Sequence, residues 1–526
     1  MEYDEETSIE KDTLAKRYAQ LETERNTFLQ RARDSAQLTI PMLVPLEGHS
    51  SSSTYETPYQ SVGARGVNNL ASKLLVTLLP PNSPFFRLTI DDYDLAQVAG
   101  NEARGAVEEA LGRIERAGLQ VIEASAVRVP VFEALKQLII AGNALVYMPK
   151  EGGMKVFRLD RFVVKRDAMG NVLEIMTKES MSPMMLDKAV RELLTDPIDK
   201  NQKSYDLYTK ICLVDKKWEV YQEVQDIEVP NSRGSYKLDE NPFIPLRFTR
   251  IDGEDYGRGF VEEYIGDLKS LEALTQAIVE GASASAKVLF MVRPNGTTKA
   301  RTLANSPNGA IVSGDANDVS TLQVQKTNDF RVAMETARLI SDRLSFAFLL
   351  NSSVQRNAER VTAEEVRYMA QELETALGGV YSILSQEFQM PLVKLILKNL
   401  EREGKMPKMP KDTVKPTIVT GIEALGRGQD LNKLAQFLQY LQPLGQEVIA
   451  AEMNVTDYID RLGASLGIDT NGLIKSEEQK QQEAQQAQEQ QMMAQEQDQQ
   501  MQQQQQMMDV AKSAVPEAMK QVAQQQ

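Results

Sequence analysis

The stretch FVEEYIGDLKSLEALTQAIVE, residues 260–280, decides how the rest of this chain is read. Val261, Tyr264, Ile265, Leu268, Leu271, Leu274 and Ile278 recur at three- and four-residue steps, while Glu262, Glu263, Asp267, Glu272 and Glu280 fall mostly elsewhere on the wheel. The spacing predicts one long amphipathic helix. From Gly257 to Ala286, unbroken, it would be roughly 45 Å long. Its end, Gly281-Ala282-Ser283-Ala284-Ser285-Ala286, has so little side-chain bulk that another backbone can come close.

Downstream, residues 288–324 read as extended and turn-rich, with Pro294-Asn295-Gly296 and Pro307-Asn308-Gly309 as turns. A second helix is predicted over 328–350, with Phe330, Met334, Ala337, Ile340, Leu344 and Phe348 on one face. Helix, small β-like excursion and returning helix imply a protruding stalk with a tip. A polar link follows, residues 351–360, then a capping box of Thr362 and Glu365 opening the longest helix. Its apolar series is Val366, Met369, Leu373, Leu377, Val380, Leu384, Phe388, Leu392 and Ile396, and Gly378-Gly379 and Pro391 should bend it. Residues 404–416 read as a linker, 417–420 as a strand, and the region to about 467 as helical. Beyond 475 the chain is rich in Gln and Met, a composition that leaves helix in an oligomer and disorder both open.

Upstream, the reading is mixed α and β. Helices are expected over 9–38, 61–79 (stopped by Pro80-Pro81), 101–124 and 131–142. Strands are expected over 85–90, 144–148, 154–159, 162–166, 172–178, 205–214 and 218–229, with hairpins at 167–171 and 215–217.

Composition limits the function. The chain has 526 residues, 42% apolar and 25% charged, enough for a large core or several domains. No run approaches the twenty or so apolar residues of a membrane span, and the start MEYDEETSIEK is acidic where a signal peptide is basic. A soluble, unexported protein is the expectation. Cys212 is the sole cysteine, so no intrachain disulfide or thiolate cluster forms. The net charge of -15 disfavours a sequence-reading DNA binder but suits a wall past which DNA slides, because an acidic surface offers phosphates no deep trap.

Catalytic apparatus is sparse. No phosphate-binding Gly-x-x-x-x-Gly-Lys motif occurs, so nucleotide-driven motor activity is not expected within this chain. His49, the only histidine, sits in a Gly-Ser loop and reads as a solvated loop residue. Asp252, Glu254, Gly257 and Glu263 match positions of a calcium loop, yet Tyr256 stands at a ligand position, so an acidic turn entering a helix is the stronger reading. Gly426-Arg427-Gly428 reads as a turn. Charge is more telling. Between Gly281 and Gly314 lie Lys287, Arg293, Lys299 and Arg301 and no acid, a candidate contact surface for an acidic partner or phosphate, or else a solvated loop. Lys269, Arg331, Arg338 and Arg343 on the two stalk helices are candidate channel charges or intersubunit salt-bridge residues.

The phrases TYETPYQSVGARGVNNLASKLL (54–75), FEALKQLIIAGNALVYMP (132–149), FVVKRDAMGNVL (162–173), DGEDYGRGFVEEYIGDLKSLE (252–272), LSFAFLLNSSVQRNAERVTAEEVRYMAQELE (344–374) and GIEALGRGQDLNKL (421–434) carry a resemblance. The chain resembles the portal, or head-to-tail connector, proteins of short-tailed podophages. The resemblance implies an α+β portal fold, mainly helical, with wing, two-helix stem, small α/β clip and helical crown, in a dodecameric ring around a DNA channel. Mapped here, it implies a wing region over 1–256, first stem helix 257–286, clip 287–325, second stem helix 326–350 and tunnel loop 351–361. The long wing helix and return strand fall at 362–424, the crown at 425–472 and the Gln/Met-rich tail at 473–526. The candidate tunnel-loop residues are Asn351, Ser352, Ser353, Gln355, Arg356 and Asn357. Such proteins are not enzymes, need no cofactor, and contact double-stranded DNA without sequence specificity. They meet terminase large subunit, scaffolding protein, major capsid protein, tail adaptor and internal core proteins at the virion's head-tail vertex after assembly in the host cytoplasm. Two other readings are a ring- or fibre-forming adaptor that conducts no DNA, and a carboxylate hydrolase using Asp252, Glu254 and Glu263.

Overall fold

A computed structural model describes residues 13–445 except 50–51, 82–84, 91–103, 151, 187–189, 192–203, 286–288, 323–326, 351–371, 374, 407–413 and 419–425, and scattered positions beyond 445. Helix α1 (Leu14–Gln37) buries Leu14, Tyr18 and Leu21 against Val163 and Met176, and Leu29, Ala32 and Ala36 in the main core. Its apolar stripe also carries Arg25, 1% exposed, which the sequence reading did not place there. The guanidinium donates to the Tyr18 hydroxyl (3.0 Å) and the Phe162 carbonyl (3.1 Å) and pairs with Glu22 (2.7 Å), so the charge enters the core with partners. Burial pushes the Tyr18 hydroxyl pKa up to about 12.

Helix α2 (Val62–Leu78) is the centre of the core, with Val67, Leu70, Ala71, Leu74 and Leu78 fully buried, and ends ahead of Pro80. Strand β1 (Phe86–Ile90) pairs antiparallel with the late strand Val414–Ile418. Helices α3 (Arg104–Ala124) and α4 (Arg128–Ala141) lead into β2 (Asn143–Tyr147), which pairs with β3 (Lys155–Phe157). The six-stranded sheet follows: β4 (Phe162–Arg166), β5 (Val172–Met181), β6 (Tyr205–Val214), β7 (Lys217–Val224) and β8 (Ile227–Glu228), hydrogen-bonded in that order. β9 (Gly234–Lys237) also pairs with β7. The single strand expected over 218–229 is two strands, because Gln225 and Asp226 turn back with φ of 48° and 63°. β10 (Phe243–Arg247), not foreseen, is an edge strand beside β2, where Pro245 can sit without breaking the sheet.

The long helix expected from residue 257 is two. α5 (Phe260–Glu263) ends at Tyr264, whose φ of −109° and ψ of 12° leave the helical region, and α6 (Ile265–Ser285) starts afresh. The break falls where Phe260 and Tyr264 both turn onto Phe348, with ring centroids 5.4 Å and 6.0 Å away, so core packing overrides helical periodicity. β11 (Leu289–Val292), α7 (Ala300–Ala304) and β12 (Val319–Leu322) form the tip; α7 is a short helix inside a segment read as extended. α8 (Thr327–Ala347) runs back antiparallel to α6.

Further on, Gly378 (φ 54°) makes the expected break before α9 (Val380–Leu384). A π-helical turn, Ser385–Gln389, joins it to α10 (Met390–Arg402), and Pro391 sits in the first turn of α10, where its missing amide costs little. β13 (Val414–Ile418) begins inside the stretch taken for a linker. The capping box at Thr362 and Glu365 lies outside the described residues. Contacts divide the chain into two units, residues 1–426 and 427–526. α11 (Gly426–Leu441) opens at the Gly426-Arg427-Gly428 triplet, which is therefore helical and not a turn. Within the second unit the Tyr458 hydroxyl donates to the Leu434 carbonyl at 3.2 Å.

Candidate functional site: a helical hairpin and its tip

α6 and α8 lie side by side. Arg343 pairs with Asp267 (2.8 Å) near the root, and the Phe330 ring covers Gly281 near the tip. A Cβ at Gly281 would stand 2.4 Å from that ring, so part of the small-residue run serves the chain's own hairpin. Arg343, a candidate channel or intersubunit charge, is thus bound to Asp267 of its own chain while remaining 65% exposed. Lys269, Arg331 and Arg338 are exposed.

The root is locked by groups that sequence reasoning missed. The Asn69 side-chain amide donates to the carbonyls of Phe348 and Leu349, both at 3.0 Å, and Lys73 donates to Leu349 (3.2 Å) and pairs with Glu372 (2.9 Å). These donors satisfy carbonyls just past the end of α8, where positive charge is favourable. The available signal was Asn69 and Lys73, a polar pair four residues apart on α2. Phe348 itself is fully buried against Gly66, whose Cβ position would be 2.4 Å from the ring. Nearby, the buried Arg247 forms a charge-assisted pair with Glu387 of the π turn, tying β10 to the long helical segment. Arg166, beside it, has its pKa pushed down to about 10 by burial, with Arg247 adding to the effect.

At the tip, the Asp318 carboxylate accepts the amides of Thr297 (2.7 Å) and Thr298 (3.1 Å) and the Thr297 hydroxyl (3.1 Å). Those amide bonds hold it below the usual carboxylate range, and Arg293 contributes to the same direction. The cationic segment therefore has an acid folded beneath it, supplied from just beyond the window that looked acid-free. Arg293, Lys299 and Arg301 are exposed, Lys299 immediately before α7 and Arg301 within it. Lys287 lies outside the described residues, as do Asn351, Ser352, Ser353, Gln355, Arg356 and Asn357.

The acidic turn does not assemble the three carboxylates of the hydrolase reading. Asp252 and Glu254 line a cavity of about 300 Å³ that Glu263 does not reach, and its wall also carries Lys165, Arg166, Arg247 and Arg250. Glu254 is engaged by Arg258 at 2.6 Å, and Tyr256 points into the core, accepting the Val164 amide at 3.0 Å. His49 is an exposed turn residue whose ring stands 5.3 Å from that of Tyr55. Among the described residues no helix is long and apolar enough to cross a membrane.

The described residues thus form an α+β chain with a two-helix hairpin and a small mixed tip. The sequence matches the family described as bacteriophage head to tail connecting protein over residues 11–474. The portal protein of Enterobacteria phage T3 is 45% identical over 484 residues, covering 90% of each chain, and that of Escherichia phage T7 is 44% identical over 486 residues, again 90% of each. The portal protein of Enterobacteria phage SP6 is 31% identical over 488 residues, 90% of this chain and 92% of that one. Among solved structures, the neck of an empty gene transfer agent particle matches 72% of this chain and 86% of that one at 12% identity and a TM-score of 0.34. The chain belongs to the bacteriophage head-to-tail connecting family. Its function is that of the portal at the capsid vertex.

Proposed function

We propose that copies of this chain close into a ring, a dodecamer as the family resemblance implies, whose axial hole conducts double-stranded DNA without reading its sequence. The observation that carries this is the hairpin surface. Val279, Val332, Met334, Leu339 and Phe346 are 48%, 67%, 60%, 59% and 77% exposed on helices whose inner face is already filled. An apolar surface of this kind marks an interface, and identical neighbours around an axis would cover it in every copy at once.

In this reading residues 1–256 and 362–424 form the wing, α6 and α8 the stem, 287–325 the clip, 351–361 the tunnel loop and 425–472 the crown. The clip cations Arg293, Lys299 and Arg301 dock the terminase large subunit during packaging and then the tail adaptor. Scaffolding, major capsid and internal core proteins are further partners, assembly takes place in the host cytoplasm, and the chain itself performs no catalysis. End-on electron microscopy of the purified protein tests the ring: closed circles with a hole admitting duplex DNA are expected, and a monomer at all concentrations would end the reading. Replacing Lys299 and Arg301 by alanine should weaken terminase and tail-adaptor pull-down while leaving rings intact; undiminished docking would remove the clip assignment.

A further inference from the structure

Three of the four large apolar side chains that α8 exposes fall in one line, and the fourth, Met334, stands on another side of the helix. Val332, Leu339 and Phe346 stand seven residues apart, so they form one stripe along the helix, turned away from the face that Ile340 and Leu344 bury. α6 presents the complement. Gly266, Ser270, Ala273, Ala277 and Ala284 are all exposed, alternate at three- and four-residue steps or multiples of them, and lie opposite the buried Leu268 and Leu271. One helix of the hairpin carries knobs on its outside, and the other carries a shallow groove on its outside.

The hairpin also fixes which residues share a height. Arg343 stands level with Asp267, and Phe330 level with Gly281. Copies related by rotation alone have no shift along the axis, so for helices running along it the same levels hold between α8 of one copy and α6 of the next. Phe346 then meets the groove beside Gly266, Leu339 meets it between Ser270 and Ala273, and Val332 beside Ala277. The charges agree with that register. Asp342 and Arg331 border the stripe on one side, and Lys269 and Glu280 border the groove on the side that faces them when antiparallel helices meet. Asp342 stands level with Lys269, and Arg331 with Glu280. All four are exposed, and no ion pair joins any of them within the chain among the described residues.

Resting on the ring reading, we propose that the Val332-Leu339-Phe346 stripe of α8 seats in the α6 groove of the next copy, guided by Lys269–Asp342 and Glu280–Arg331 pairs. The contact is heterologous, so one chain supplies both halves and every interface is identical. Leu339 and Ala273 are on outward faces of different helices, and a disulfide between them can form only between copies.

The test uses the full chain with Cys212→Ser and a matched cysteine pair, Leu339→Cys with Ala273→Cys. Mild oxidation should give a ladder of covalent multimers on a non-reducing gel. The offset pair, Leu339→Cys with Ala284→Cys, is displaced by several helical turns and should stay monomeric. Independently, Lys269→Glu should raise the concentration at which rings dissociate on the order of tenfold, and adding Asp342→Lys to the same chain should restore it. Rings seen by electron microscopy with no ladder from the matched pair, or a ladder from the offset pair, would overturn this interface and leave the ring standing. Rings unaffected by Phe346→Asp, with loss of co-assembly with another head protein instead, would assign the stripe to that protein and overturn the proposal. Absence of rings in the unmodified chain would end the ring reading itself.

Discussion

Phe348 is the residue on which the hairpin root turns, and its removal gives a worked prediction. Its ring is fully buried, meets Phe260 edge-on at 5.4 Å and lies over Gly66. Phe348→Ala should cost about 3–5 kcal/mol, the lost transfer energy together with the cavity that remains. Gly66→Ala should cost about 1–3 kcal/mol by overpacking, because its methyl would enter the space of the ring and α2 and α8 cannot both retreat, although alanine's better helix propensity offsets about 1 kcal/mol. In the double variant the methyl occupies the vacated space. The propensity gain is the same in both backgrounds and cancels from the cycle, so what remains is the clash. The double variant should therefore be no less stable than Phe348→Ala alone, a coupling of at least about 1 kcal/mol. The assay is guanidinium unfolding of all four proteins followed by circular dichroism, with equal slopes checked first. Additivity within about 0.5 kcal/mol would show that the two residues do not share that space, and the account of the root would fail.

Other consequences are as definite. Asn69→Leu leaves the Phe348 and Leu349 carbonyls without that donor, at about 1–3 kcal/mol, and should speed amide exchange in the last turn of α8 while α6 exchange is unchanged; unaltered exchange at that turn would refute the capping role. Asp318→Ala removes the acceptor of three hydrogen bonds and should make the tip between residues 293 and 318 sensitive to limited proteolysis with overall helicity preserved; equal cleavage rates would show that the tip holds without it. Glu174 is pushed up by burial but held below its ordinary value on balance by Arg17, at 2.7 Å, and Lys210. Its folded pKa is depressed, so its stabilisation is present above the unfolded value and lost as pH falls through the folded one. The destabilisation caused by Glu174→Gln should be full at pH 7 and begin to fade only as the pH falls below about 4, the ordinary glutamate range, vanishing below the lower folded value; a difference undiminished in strong acid would contradict it.

Periodicity was legible wherever one face of an element is buried and the other wet. α1, α2, β6 and α8 lie within a few residues of where apolar spacing places them, because local pattern and tertiary burial agree there. The misses share a cause. Tyr264 ends a helix because Phe348, far along the chain, draws it and Phe260 into one aromatic cluster. β10 escaped because Pro245 argues against a strand until its edge position is known. Asp318 escaped because a charge count along the chain cannot see an acid that folds back beneath Thr297 and Thr298.

By itself the sequence determined the α+β class, the two long hairpin helices and the turn-rich tip between them, and the absence of nucleotide-binding and thiolate motifs. These follow from local spacing and residue type, which act over a few turns of chain. Tertiary structure alone decided that Arg343 belongs to Asp267, that Asn69 and Lys73 lock the root, and that Val332, Leu339 and Phe346 of α8 are left exposed. Those facts depend on which distant segments come together. Contacts across hundreds of residues carry no periodic signal in one sequence, because side-chain pairing is set by packing and not by spacing.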